Sequence, residues 1–121
     1  MANDFKRFQV NNATTSTGAS GDALYTVPAG GGATALESII IGITLSNTSA
    51  TGVTGDIFLD GYSGTDTYIV KGASIPAGSS LEVMSGNKIV VMNNGTTGDV
   101  IRVSCGTSNA LDATISVLED V

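Results

Sequence analysis

The segment "GDIFLDGYSGTD", residues 55–66, holds the residues whose types and spacing best suggest chemistry. Asp56, Asp60 and Asp66 surround a glycine-rich turn, and calcium takes six to eight oxygens of the kind such a loop supplies. The spacing fits no EF-hand register, however, and a hairpin with acids at its base reads identically. The hairpin is the reading adopted, and no metal or other cofactor is expected. Tyr62 at the loop tip is an aromatic that could stack on a sugar ring. A glycan-binding module built on Tyr62 and the Asp60–Asp66 loop is therefore a second functional reading. Catalysis is a remote third. The chain has no histidine, which removes the commonest general base, the triad base and the commonest metal ligand together. Its eleven acids are scattered one per strand or loop, mostly on outward positions, as on a solvated face. "GGG" at 30–32 is followed by neither GK[ST] nor a helical pattern, so it is no phosphate loop. The expectation is a protein that is not an enzyme.

Composition agrees with a binding role. The length of 121 residues suits one domain with a real core. Only 13% of residues are charged, about half the usual ~25%. Five cations against eleven acids give a net charge of −6, a field that repels phosphate backbones and argues against nucleic-acid binding. No apolar run approaches the ~18 residues of a spanning helix, so no membrane partner is expected. The first residues, "MANDFKRFQV", lack the apolar core of a secretory signal. Synthesis in a cytoplasm is the expectation, which also discounts the sequons at Asn12, Asn47 and Asn94. The lone Cys105 leaves the fold independent of an oxidising compartment.

Nearly every apolar segment alternates with period two, the mark of half-buried strands. "ESIIIGITLSN" places Ile39, Ile41, Ile43 and Leu45 on one face, with Ile40 and Gly42 opposite. "GVTGDIFLD" turns Val53, Ile57 and Leu59 inward and Asp56, Phe58 and Asp60 outward. "DVIRVSC" buries Ile101, Val103 and Cys105, and "DATISVLED" buries Ala113, Ile115 and Val117. Further strands are expected over 5–10, 23–27, 67–70, 81–84 and 88–92. About nine short strands joined by polar glycine-rich connectors make an all-β protein, an antiparallel β-sandwich of jelly-roll or immunoglobulin-like connection. Residues 1–22 read as an N-terminal strand and flexible arm, and residues 23–121 as a single sandwich domain. The only prolines, Pro28 and Pro76, both open Pro-Ala-Gly. Proline pre-sets the second position of a type I turn and glycine suits its last, so both are read as corners that end strands at Val27 and Ile75.

Some residues break the inward-apolar rule and become candidate contact anchors. Phe58 and Leu118 fall on polar faces, where exposed apolar side chains mark interfaces, and Tyr62 is an ordinary aromatic for a protein contact. In the N-terminal strand, Phe5, Lys6, Arg7 and Phe8 combine aromatic and basic side chains. Residues 11–22, polar and glycine-containing, would let that strand pair with its own sheet or with a neighbour's.

Five stretches, "MANDFKRF", "LYTVPAG", "TYIVKGASIPAGSSLEV", "DVIRV" and "ISVLED", give the chain a resemblance to a family of short virion structural proteins of tailed bacteriophages, notably those infecting cyanobacteria and other aquatic bacteria. The likeness runs through nearly the whole chain and is weakest at 29–34, 61–66 and 93–98. It implies a small β-domain carried in many copies on the virion, after synthesis in the host cytoplasm. Capsid decoration (cement) is the first expectation, and a neck, tail or fibre component the alternative. The partners it implies are the major capsid protein or other virion proteins. A homo-oligomer is also expected, with a trimer favoured. The family has no catalytic residues to carry over.

Overall fold

The computed structural model describes residues 3–84 and 86–120; residues 1 and 2 of the expected arm and the last residue of the expected domain lie outside them. Among the described residues nine strands follow in order: β1 (Asn3–Val10), β2 (Asp22–Thr26), β3 (Leu36–Asn47), β4 (Val53–Asp60), β5 (Asp66–Ile75), β6 (Ser80–Glu82), β7 (Ile89–Asn93), β8 (Val100–Cys105) and β9 (Leu111–Asp120), with a 3-10 turn at Gly18–Ser20. The alternating sequence thus builds the all-β sandwich expected. Its pairing is that of one long hairpin rolled on itself. β4 pairs β5, β3 pairs both β6 and β7, β2 pairs β8, and β1 pairs β9, all antiparallel. The two sheets that result have the orders β1-β9-β3-β6, with β7 also on β3, and β2-β8-β4-β5. Of the two connections expected, this nesting is the jelly roll.

Between the sheets lies one layer of side chains, with Ile40, Ile43, Leu45, Ile57, Ile75, Val91, Ile101, Leu111, Ile115 and Val117 all at 0% exposure. The inward assignments in β8 and β9 match the alternation. In β3 they do not. The β3–β9 register slips between Ile40 and Gly42, so Ile41 is an extra, bulged residue, and a bulge reverses the phase of everything before it. Ile40 is therefore buried, while Ile39 is half-exposed and Ile41 exposed, the opposite of the expectation. A similar slip between Ala23 and Tyr25 turns both Leu24 and Tyr25 into the core.

The third irregularity concerns Asp56, expected on a wet face. The β4–β5 register slips after Gly55, leaving the Gly72 N–H, at φ +66°, without a ladder partner. It donates to Asp56 Oδ1 at 2.6 Å, and Ser104 Oγ donates to Oδ2 at 3.0 Å. The carboxylate and Ser104 are buried as a result.

Both Pro-Ala-Gly corners follow strands, but their turns fall later than expected. At the second, Ser79 N–H donates to Pro76 O at 3.2 Å. Gly78 is the third residue of that turn at φ +67°, the position where a type II turn requires a left-handed residue. At the first, the reversal lies beyond the proline, in a hairpin closed by Gly30 N–H to Thr34 O at 2.8 Å, with Gly32 at φ +73° at its tip.

Asp99 fastens two connectors to strand β7. Its Oδ1 accepts from Tyr62 N–H and its Oδ2 from Met92 N–H, each at 2.9 Å, while its carbonyl accepts from Val27 N–H at 3.0 Å. The residue is 6% exposed. Replacing Asp99 with Ala strands two part-buried donors, and should cost about 2–3 kcal/mol. Asp66→Ala, which removes a carboxylate from the exposed Gly61 N–H, should cost less than about 1 kcal/mol. Urea unfolding of both variants, with m unchanged, checks the difference.

Candidate docking surface

The structure takes the loop acids apart as a site. Asp60 and Asp66 face each other at the base of the β4–β5 hairpin, and each has its own partner. Asp60 Oδ2 receives Arg102 Nε at 3.0 Å, and Asp66 Oδ1 receives Gly61 N–H at 3.0 Å. Arg102 also donates to Gly21 O at 3.0 Å. Asp56 serves the Gly72 bulge. Among the described residues no three His, Cys, Asp or Glu side chains converge to hold a metal, and no helix is long and apolar enough to cross a membrane. Tyr62 is half-buried at the hairpin tip, its N–H engaged by Asp99. Phe58 is no free anchor: its ring meets Tyr68 edge-on at 4.9 Å and lies beside Gly18 of the 3-10 turn, which leaves it half-buried.

The N-terminal strand is different. β1 pairs β9 over eight residues and forms the outer edge of its sheet. The connector behind it is pinned by Asn12 N–H to Asp112 Oδ1 at 3.0 Å and Ala13 N–H to Leu111 O at 2.8 Å. Yet residues 4–9 are all exposed, with Phe5 at 78%. Residues 1–10 carry two cations and one acid, net +1, against −7 on residues 11–121. Arg7 and Phe5 point to the outer side, in register with Ser116 and Leu118.

Lys6 and Phe8 take the other side and seat the strand. Lys6 Nζ lies 3.0 Å from Glu119 Oε1. That oxygen is buried with no aligned hydrogen bond, so charge rather than lone-pair direction holds the pair. Glu119 Oε2 accepts from Tyr25 Oη at 2.6 Å, and Tyr25 Oη is 2.8 Å from Ser38 Oγ. Phe8 covers Tyr25, ring centroids 5.1 Å apart. Burial, and then the bond to Glu119, hold the Tyr25 hydroxyl well above its ordinary 10.0, with the Ser38 bond opposing. Pairing with Glu119 likewise raises the Lys6 ammonium above 10.5.

On the outer face of the same sheet an apolar row crosses four strands. Phe5 on β1 is in register with Leu118 on β9, Leu118 with Ile39 on β3, and Ile39 with Val90 on β7. Leu118 and Ile39 are half-exposed and Val90 is 55% exposed, with Ile41 and Met92 exposed nearby. The sequence pointed to Phe5 and Leu118. It missed Ile39, which the Ile41 bulge reversed, and it missed Val90 and Met92. For those two a signal exists: once Val91 is taken as inward, alternation turns its neighbours out.

No family model matches the chain, and no curated protein is significantly similar to it.

The Tyr25 environment has a consequence in alkali. A group whose folded pKa is raised keeps its proton in the native chain when the unfolded chain has lost it. Stability is intact below the unfolded value of 10.0 and falls as pH climbs toward the folded value. Melting temperature should therefore decline above pH 10. Tyr25→Phe should lose about 1.5–3 kcal/mol at pH 7, because a buried carboxylate loses a donor, and should decline less steeply in alkali. Thermal melts from pH 7 to 11.5 measure both.

Proposed function

We propose that the chain is a structural protein of a bacteriophage virion, a capsid decoration or cement protein that binds the particle and reinforces it without catalysis. The observation that carries this reading is β1: an edge strand exposed from Asp4 to Gln9, aromatic and net positive on an acidic body. Such a strand is suited to lie against an acidic protein surface, and its free backbone edge can add to a neighbouring sheet. The sequence resemblance supports the same reading. So does the jelly roll, an architecture used by viral capsid domains and by lectins alike, although a fold supports such a reading only by analogy. The loop that would carry the glycan-binding reading has its acids committed to Arg102 and to Gly61 N–H, which favours docking over sugar recognition.

On this reading the partners are the major capsid protein or other virion proteins, and the protein resides in the virion after synthesis in the host cytoplasm. Each contact is modest, and repetition over a lattice supplies the affinity. Phe5, Arg7 and the open edge of β1 meet the shell, while Lys6 and Phe8 keep the strand in place.

Purified particles carrying hundreds of copies would support the capsid assignment. About six or twelve copies, the order of a neck or tail, would move the protein there, and none would end the virion reading. Phe5→Ser with Arg7→Glu, both on exposed positions, should leave the melting temperature within about 2 °C and abolish binding to particles stripped of the protein. Unchanged binding by this folded variant, or by a chain lacking residues 1–8, would overturn the role given to β1.

A further inference from the structure

The outer face of the β1-β9-β3-β7 sheet carries more than an apolar row, because its charges are laid out unevenly across that row. Glu37 lies two residues from Ile39 to one side, level with Met92. Arg7 lies two residues from Phe5 to the other side, level with Ser116 and Gly42. Lys88 lies two positions before Val90 on that same side, since β7 runs antiparallel to β3, and it is exposed. One acid, Glu82, also reaches the cationic side beside Gly42. It is already bound by Ile43 N–H, Thr44 Oγ1 and Met84 N–H. The row therefore separates an anionic margin from a cationic one.

We infer that this face is a self-complementary contact between two copies of the chain, packed sheet against sheet about a twofold axis that runs along the Phe5–Leu118–Ile39–Val90 row. That axis brings each copy's cationic margin over the other's anionic margin. Lys88 of one copy comes one strand spacing, about 5 Å of backbone offset, from Glu37 of the other, within reach of both side chains. A twofold axis parallel to the strands would instead set Arg7 against Lys88, like on like. The charge layout thus selects one axis, and it gives a pair where the sequence led to the expectation of a trimer. The driving force is burial of Val90, Ile39, Leu118 and Met92. The ion pairs set orientation, as paired charges at interfaces do, against the general repulsion of two −6 chains.

This inference goes beyond the virion reading and is tested without any particle. Sedimentation of the full chain over a range of concentrations should give a monomer–dimer equilibrium. Val90→Asp should abolish the dimer with an unchanged melting temperature, because Val90 is not a core residue. Lys88→Glu and Glu37→Lys should each weaken the dimer by about tenfold, the effect of losing two symmetry-related pairs. The double variant should restore it to within about threefold of wild type. A wild-type chain that stays monomeric, an assembly indifferent to Val90→Asp, or a double variant no tighter than the singles would each overturn the inference. Phe5 and Arg7 belong to this contact as well as to the shell contact, so that end of β1 serves one partner at a time, and the variants at Val90, Lys88 and Glu37, which lie off β1, separate the two.

Discussion

One buried carboxylate makes demands on much of this fold. Glu119 stands on β9 at 1% exposure, where an unpaired charge would cost several kcal/mol. Three groups from three other strands make it tolerable: Tyr25 from β2 in the opposite sheet, Lys6 from β1, and Ser38 from β3 acting through Tyr25. Hydrophobic burial holds the two sheets together but has no preferred direction. A hydroxyl aimed from one sheet at a carboxylate on the other does have direction. It fixes how the sheets sit at this end, and through Lys6 it gives the first strand a defined place beside β9.

The same device recurs wherever the ladders are interrupted. Asp56 serves the N–H that the Gly72 bulge frees, and Asp99 ties the end of β2 and the β4–β5 hairpin to β7. Several of the eleven acids are therefore joints. Asp56, Asp66 and Asp99 hold backbone N–H groups, and Asp60 holds Arg102.

The number of strands, their places and the antiparallel sandwich were legible because alternation is imposed by the pleat itself. β9 reads correctly from Ala113 to Leu118, but the burial of Glu119 was not foreseen. Three bulges account for most of what was not legible. Where the extra residue falls depends on what the opposite strand presents, and nothing local to "ESIII" says that Ile41, rather than Ile40, is squeezed out. From that one slip follows the error over Ile39, and with it the outer apolar row went unseen. Asp56 and Ser104 looked solvated because a sequence does not display the bulge that covers them. The proline corners were placed correctly, but their turns were not, since φ at Gly78 and Gly32 is decided by how the following strand re-enters the sheet.

The nested pairing also fixes an order of events in time. The partner of Asn3 is Asp120, more than a hundred residues downstream, whereas the β4–β5 hairpin closes over a few residues. Loop closure over such a span is slow, and chains dominated by distant pairings fold in milliseconds to seconds. During synthesis β1 emerges before β9 and must wait for it. Throughout that interval the most aromatic and most basic stretch of the chain has no partner of its own. Its Lys6 and Arg7 then act as gatekeepers, charges that discourage nascent strands on neighbouring ribosomes from stacking into the cross-β arrays to which unpaired edges are prone.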